Sequence, residues 1–259
     1  MSHWHRIEAG HGRPLVLLHG IGMSHAAWKP VVPLLAKQRR VLAFDVAGFG
    51  RSAPLPAGTT PNQHNLVAAL GATLRYLGIT DPVDFAGNSM GGMLAIEAAR
   101  QGLARSVVAL SPGGLWTGRT PPGLKASFDL MRRTIRRAPR LSEALLRAAP
   151  MRSMLLAVPM SAASWRMPAE EAVHAARNFV AAPAFDETFA SLGTVTGAHS
   201  ITVPLTVAFG TRDWLLTRRC QNRKLLPEHT RWLRPRGWGH VPMWDDPTGV
   251  AELILEGTR

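Results

Sequence analysis

Gly87-Asn88-Ser89-Met90-Gly91-Gly92 lies between an apolar run at residues 83–86 and a segment of helical character at residues 93–100. A strand, a sharp Gly-x-Ser-x-Gly turn and a helix form an elbow that lifts a serine hydroxyl above the edge of a sheet. Glycines flank the serine because a side chain there would clash with the neighbouring strand and helix. The stretch therefore predicts a strand–turn–helix unit with Ser89 as a candidate nucleophile.

A nucleophilic serine needs a base, and it needs an acid that orients the base. Asp213 follows the apolar run 203–209 and is expected at the carboxyl end of a strand, where parallel sheets place functional groups. His240 lies in a glycine-rich loop ahead of the last predicted helix. The order Ser89, Asp213, His240 suits a serine elbow. The weaker candidates for the acid follow no predicted strand; they are Asp186, Asp245 and Asp246.

Backbone donors for a developing oxyanion are expected at two places. The early apolar run 15–18 leads into His19-Gly20-Ile21-Gly22, a glycine loop whose Ile21 N–H is the first candidate. Met90 supplies the second N–H, and it begins a helix whose dipole favours negative charge. His19 is interpreted as a brace for this loop rather than as a proton-transfer group.

Strand-like and helical segments alternate along much of the chain. Apolar runs predict strands near residues 15–18, 41–44, 83–86, 107–110, 205–209 and 231–233, with helices between them. This alternation predicts an α/β fold with a mostly parallel, doubly wound sheet covered on both faces. Residues 4–13 are expected to form an antiparallel edge hairpin that turns at Gly10-His11-Gly12.

Residues 116–194 interrupt the alternation, since they contain no convincing strand. Prolines divide them into several short predicted helices, because each ends or begins a helix; they are Pro121, Pro122, Pro139, Pro150, Pro159, Pro168 and Pro183. We expect a helical cap subdomain at 116–194, inserted into a core domain made of 1–115 and 195–259. A cap over Ser89 would exclude water and shape a pocket.

Five sequence blocks in this order resemble the α/β-hydrolase family, over nearly the whole chain; they are His19-Gly20-Ile21-Gly22, Asp45 to Ser52, Gly87 to Gly92, Gly210 to Asp213, and Gly239-His240-Val241-Pro242. The resemblance implies Ser89 as nucleophile, His240 as base, Asp213 as acid, and Ile21 and Met90 as oxyanion donors. It also implies an α/β-hydrolase sheet with an inserted cap. The Asp45 block is interpreted as architectural, with Asp45 bound to nearby backbone.

The function expected is cleavage of carboxylic esters of small to medium apolar acyl groups through an acyl-enzyme on Ser89. Gly87 to Gly92 also resembles hydrolases that break carbon–carbon bonds in meta-cleavage products, although Met23-Ser24 replaces the Pro-Gly usual after their oxyanion loop. Cofactor-free perhydrolase activity and a slow-turnover ligand receptor are further alternatives. Epoxide hydrolases and dehalogenases are disfavoured because they use a carboxylate where this chain has Ser89.

The formal charge of +13 is concentrated in the predicted cap, where residues 116–166 carry ten Lys/Arg and two acids. One interpretation, and the one we expect, is a solvated outer face. The other is a face that steers anionic substrates or contacts an anionic membrane surface. No recognition motif accompanies the charge, so nucleic-acid binding is not expected.

Other residues define smaller expectations. Trp116 and Trp214 flank the predicted site in sequence and are candidate substrate contacts, although tryptophans are more often core residues. Cys220 is the single cysteine, which excludes an internal disulfide. No group of His, Cys, Asp and Glu has metal-ligand spacing, so we expect no metal and no cofactor. Neither a signal peptide nor a membrane span is apparent, and a cytoplasmic protein acting on a small-molecule ester is expected.

Overall fold

The structure is a computed structural model that describes residues 3–118, 120–157 and 160–259, without the side chain of Pro122. Arg119, one of the ten cations in residues 116–166, and Pro159, one of the prolines expected to divide the cap, lie outside the described residues. The strands are β1 (Arg6–Ala9), β2 (Pro14–Leu18), β3 (Arg40–Phe44), β4 (Val83–Asn88), β5 (Ala104–Leu110), β6 (Leu205–Ala208) and β7 (Arg231–Leu233).

The helices alternate with the strands and also fill the long interval between β5 and β6. They are α1 (Val32–Leu35), α2 (Gln63–Tyr76), α3 (Met90–Arg100), α4 (Pro122–Arg137), α5 (Pro139–Arg147), α6 (Ala149–Leu156), α7 (Ala169–Ala181), α8 (Phe185–Ser191) and α9 (Pro247–Gly257). No described helix is long and apolar enough to cross a membrane.

The described strands form one sheet in the order β1-β3-β2-β4-β5-β6-β7, with every pair parallel except β1 with β3. Side chains of a strand alternate between two faces, and both faces are apolar here. On β2, Val16 and Leu18 pack into the core cluster that contains α2 and α3, whereas Leu15 and Leu17 pack into the cluster that contains α1 and α9. The predicted mostly parallel, doubly wound α/β sheet is confirmed.

The first strand corrects one expectation. β1 is an antiparallel edge strand, but it pairs with β3 and not with β2, so the predicted hairpin is wrong. Both edges of β2 are occupied by β3 and β4, which leaves the outer edge of β3 for β1. Gly10 makes the turn with a φ of +75°, and a Cβ there would lie 2.3 Å from the Arg39 carbonyl oxygen.

Prolines begin the first helices between β5 and β6. Proline occupies the first or second position of α4, α5 and α6, where its missing N–H costs no helical hydrogen bond. Parts of α5, α6 and α7 share a small core of their own, made of Leu146, Leu156, Met167, Ala172 and Val173. This packing agrees with an inserted helical layer, while the boundaries at 116 and 194 stay a prediction.

The inserted helices lie directly on the glycine loops of the sheet edge. A Cβ on Gly22 would lie 2.4 Å from the Phe179 ring, and one on Gly48 would lie 2.2 Å from Ala184 Cβ. Phe179 and Phe185 belong to an aromatic cluster with edge-to-face contacts. The two glycines thus allow α7 and the turn before α8 to approach the carboxyl ends of β2 and β3.

Candidate active site

Parallel strands bring their carboxyl ends to one edge of the sheet, and the predicted site residues follow four of the five consecutive strands β2-β4-β5-β6-β7. Ile21 follows β2, Ser89 follows β4, Asp213 follows β6 and His240 follows β7. The order β2-β4-β5-β6-β7 explains why residues far apart in sequence meet. Ile21, Ser89 and His240 line one cavity, and Asp213 contacts His240 from behind.

Ser89 sits in the strained elbow that the sequence predicts. Its φ of +55° and ψ of −116° are unusual for a residue with a side chain, and such a conformation costs about 1–3 kcal/mol. Glycine is required at positions 87 and 91 for steric reasons. A Cβ on Gly91 would lie 2.1 Å from the Leu18 carbonyl oxygen, and a Cβ on Gly87 would lie 2.1 Å from the Gly91 carbonyl oxygen. The turn directs the Ser89 side chain into the cavity.

Asp213 and His240 form a buried hydrogen-bonded pair. His240 Nδ1 lies 3.1 Å from Asp213 Oδ2, and the other carboxylate oxygen accepts bonds of 3.0 Å and 2.9 Å from the Leu215 and Leu216 amides. Burial raises the pKa of Asp213, but the charge and hydrogen bond of His240 and the Leu216 amide outweigh it, so the pKa lies below its usual value. An ionised carboxylate only accepts, so Nδ1 carries the proton and Nε2 is free to act as a base.

Ser89 and His240 face the same cavity without a direct bond. Among the hydrogen bonds of the residues that the structure describes, none joins Ser89 Oγ to the His240 ring. Contacts between a nucleophile and its base are often long until a substrate is bound. The candidate acid Asp213 and the candidate base His240 are therefore already paired, and the candidate nucleophile Ser89 faces the same cavity as His240.

The two predicted oxyanion donors flank Ser89. A Cβ on Gly20 would lie 3.3 Å from Ser89 Cβ, so the loop that contains Ile21 passes next to the serine. Met90 is the first residue of α3, where helical N–H groups have no partner within the helix. Among the turn and loop hydrogen bonds of the described chain, neither the Ile21 nor the Met90 N–H has a backbone acceptor. Both remain available for a substrate oxygen.

His19 braces the glycine loop that contains Ile21, the predicted oxyanion donor. It is completely buried, its Nδ1 lies 2.7 Å from the Gly20 carbonyl oxygen, and its Nε2 accepts a 3.0 Å bond from the Val46 N–H. These partners require the neutral ring with its proton on Nδ1. Burial lowers the pKa of His19 to about 4. His19 thus connects the loops after β2 and β3 and does not reach the cavity.

Asn88 and Asp245, which are not among the predicted catalytic residues, hold the loop that contains His240. The Asn88 amide donates to the carbonyls of Leu110 and His240, at 3.1 Å and 2.8 Å. Asp245 accepts from the Gly239 N–H at 2.6 Å, from the Ala163 N–H at 2.7 Å and from the Ser161 hydroxyl. Asp245 is therefore committed to joining the His240 loop to the inserted segment. The one sequence indication of the role of Asn88 was a polar amide directly before Ser89, at the end of a strand.

The cavity beside Ser89 is large and uncharged. Its volume is about 320 Å³, and it extends between α4, α5, α6 and α7. The described lining contains no Lys, Arg, Asp or Glu, and His240 is its one titratable side chain; the lining comes mostly from Leu, Met, Phe, Ala and Ile. A second cavity of about 40 Å³ lies on the other side of Ser89, against Met90 and Trp116.

The two tryptophans separate in the structure. Trp116 is buried and lines the smaller cavity, and its indole N–H has no acceptor among the described residues. Trp214 has 62% of its surface exposed and lines neither cavity. The structure therefore brings Trp116 to Ser89 and leaves Trp214 at the surface.

The Asp45 block is architectural and also gathers two histidines. Asp45 accepts from the His25 and Arg51 backbone N–H groups, as expected, and additionally lies 2.9 Å from Nδ1 of both His5 and His25. Within the described chain, His5, His25 and Asp45 are a group whose ligand atoms lie within 4.8 Å of one another. The three residues are 20 and 40 positions apart, so sequence spacing does not reveal the cluster.

A strained serine elbow, a buried Asp–His pair and a glycine loop on a doubly wound sheet define an α/β-hydrolase. The family model described as the alpha/beta hydrolase family matches residues 15–253, and the chain belongs to this family. The chain is 33% identical over 114 residues to a 2-hydroxy-6-oxo-6-(2'-aminophenyl)hexa-2,4-dienoic acid hydrolase of Metapseudomonas resinovorans. The aligned region covers 42% of this chain and 39% of that enzyme. The chain thus matches only about two-fifths of the length of such curated relatives.

Solved structures resemble the whole chain. An enol-lactonase from Burkholderia xenovorans LB400 has a TM-score of 0.72 at 21% identity and covers 98% of this chain and 95% of its own. A thermophilic esterase from Thermogutta terrifontis has a TM-score of 0.71 at 20% identity and covers 98% and 92%. At this level of identity the likeness concerns the fold alone.

Proposed function

We propose that this protein is a serine hydrolase that cleaves carboxylic esters of small to medium apolar acyl groups. The observation that carries the proposal is the position of Ser89, which lies in a strained elbow beside a buried Asp213–His240 pair and faces an uncharged apolar cavity. The small-molecule substrate is an ester, and residues 116–194 act as the cap that encloses it.

The reaction proceeds by acyl transfer. His240 Nε2 removes the Ser89 proton as the hydroxyl oxygen attacks the ester carbonyl carbon, and Asp213 stabilises the protonated ring. The Ile21 and Met90 N–H groups bind the oxyanion of the tetrahedral intermediate. His240 then protonates the leaving alcohol, and the carbon–oxygen bond breaks. Water activated by His240 attacks the acyl-enzyme, which releases the acid and restores Ser89.

The chemistry of the cavity favours a neutral substrate. A dienoic acid, such as the one in the name of the Metapseudomonas relative, carries a carboxylate. Burying a carboxylate without a cation is strongly unfavourable, and the described lining provides no Lys or Arg. Neutral apolar acyl groups meet no such penalty. The larger cavity suits the acyl chain, and the smaller cavity beside Trp116 suits the alcohol portion.

The test is hydrolysis of p-nitrophenyl esters from acetate to laurate by wild type, Ser89→Ala and the control Ser191→Ala. The Ser191 hydroxyl donates to the Glu187 carbonyl oxygen within α8. We expect turnover and fluorophosphonate labelling in wild type and control, and loss of both in Ser89→Ala. Fluorophosphonate labelling of Ser89→Ala would refute the assignment of Ser89 as the nucleophile. Cleavage of a meta-cleavage dienoate with no turnover of any ester would refute the ester assignment and identify a carbon–carbon bond hydrolase.

A further inference from the structure

The larger cavity opens through the inserted helices. Of its described lining residues, Thr134 and Leu155 are the exposed ones, and the rest are buried or half-buried. Thr134 lies on α4 and Leu155 on α6. The mouth of the cavity is therefore between these two helices.

Exposed apolar side chains surround this mouth. The described large hydrophobic residues that are exposed include four on α4, α5 and α6, namely Leu130 (66%), Leu141 (59%), Met154 (64%) and Leu155 (43%). Residues four positions apart share a helix face, which places Leu130 beside Thr134 and Leu141 beside the cavity-lining Leu145. Single exposed leucines are ordinary, but a group of them around a cavity mouth indicates an interaction surface.

Unpaired cations flank the same surface. Residues 122–157 contain eight Lys/Arg and two Asp/Glu. Arg133, Arg137 and Arg140 are exposed, and none is in an ion pair within the described chain. By helical spacing, Arg133 neighbours Leu130 and Arg137 neighbours Thr134. Cations beside apolar side chains are the composition of surfaces that bind anionic bilayers.

We propose that the outer face of α4, α5 and α6 docks on anionic lipid bilayers and receives apolar substrates from them. The arginines bind the headgroups, the exposed leucines and Met154 enter the interface, and the mouth between Thr134 and Leu155 admits the acyl chain. Steering of a soluble anion explains the arginines less well, since the cavity behind the mouth has no described cation to receive it. It also leaves the exposed apolar group without a role. Docking itself does not depend on the chemistry proposed for Ser89.

The experiment is co-sedimentation with vesicles of phosphatidylcholine alone and of phosphatidylcholine mixed with phosphatidylglycerol. We compare wild type, Arg133→Glu/Arg137→Glu and Leu130→Ser/Met154→Ser with the control Lys37→Glu/Arg75→Glu. The control makes the same change in charge at exposed positions after α1 and on α2. Each cation near the membrane contributes about fivefold in partitioning, so the arginine variant should bind the anionic vesicles about 25-fold more weakly or worse.

Strong wild-type binding to the mixed vesicles, a large loss in the arginine variant, a clear loss in the apolar variant and little change in the control would support docking. Absence of wild-type binding, or equal losses in the arginine variant and the control, would overturn it. Unchanged binding of the apolar variant would overturn entry of this face into the interface. Thermal melts verify folding, and Arg133→Gln/Arg137→Gln repeats the comparison if the charge reversal prevents folding.

Discussion

The side-chain amide of Asn88 donates a 2.8 Å hydrogen bond to the backbone carbonyl of His240. The residue immediately before the candidate nucleophile therefore holds the loop of the candidate base. The same amide donates to the Leu110 carbonyl at the end of β5, and Asn88 is completely buried. The distance between Ser89 and His240 is thus fixed through one side chain as well as through the sheet.

Asn88→Ala should slow turnover without removing the nucleophile. The variant leaves the buried His240 carbonyl without this donor, whereas the Leu110 carbonyl keeps the Ser89 N–H at 2.9 Å. An acceptor left unpaired costs about 1–3 kcal/mol, divided here between stability and the position of the His240 loop. We expect kcat to fall by about 10- to 100-fold while fluorophosphonate still labels Ser89 slowly. Asn65→Ala is the control, because it removes a similar amide-to-carbonyl bond at an exposed site. Wild-type kcat in Asn88→Ala would contradict the positioning role.

Asp213→Asn tests the assignment of the acid. An amide in place of the carboxylate keeps the shape, but its NH₂ group facing His240 Nδ1 favours the wrong ring tautomer. By analogy with other serine triads, kcat should fall on the order of 10⁴-fold with folding retained. Asp186→Asn serves as the control, since Asp186 is an exposed partner of Lys125 and Arg132. If the two variants retained similar activity, Asp213 would be a structural residue only.

Stability should fall as the solution is acidified, and His19 is one cause. Its pKa is about 4 in the folded protein and about 6.5 when unfolded, so the folded state binds fewer protons between these values. The stabilisation from neutral His19 is therefore complete above pH 6.5 and is lost as the pH falls towards 4, by about 3 kcal/mol in total. Urea unfolding at several pH values measures this slope. His19→Gln should be less stable at pH 7 and should show a flatter slope; an equally steep slope would reject the explanation.

The sheet and its edge were predictable because their patterns are local. Apolar runs and glycine turns indicate where β2, β4 and β6 end, and parallel strands then bring Ile21, Ser89 and Asp213 to one edge. The pairing of β1 was not predictable in the same way. A glycine turn between β1 and β2 is typical of a hairpin, and it gives no indication that β1 pairs with β3. Only the occupied edges of β2 exclude it.

Contacts between distant segments were the part that sequence patterns did not reveal. Asp245 appeared as a weak alternative acid, but its carboxylate connects Gly239 to Ala163 across an insertion whose position on the sheet has no local pattern. The His5–Asp45–His25 group is similar, since its members come from three separate segments. Trp214 is close to Asp213 in sequence, yet the turn after β6 directs it to solvent.

Filling the larger cavity should shorten the preferred acyl chain. Ala176 lies on α7 and lines this cavity opposite α4 and α5, so Ala176→Phe would occupy part of the 320 Å³ without contacting the Asp213–His240 pair. Each methylene that no longer fits is worth about 1–3 kcal/mol of transition-state binding. We expect kcat/KM to fall steeply for the longer p-nitrophenyl esters and to change little for the acetate, which shifts the optimum towards short chains. Ala190→Phe adds the same ring at an exposed position of α8 and should leave the chain-length profile unchanged. A uniform loss across the series in Ala176→Phe would mean that the acyl chain occupies another part of the site, with the smaller cavity beside Trp116 as the next position to fill.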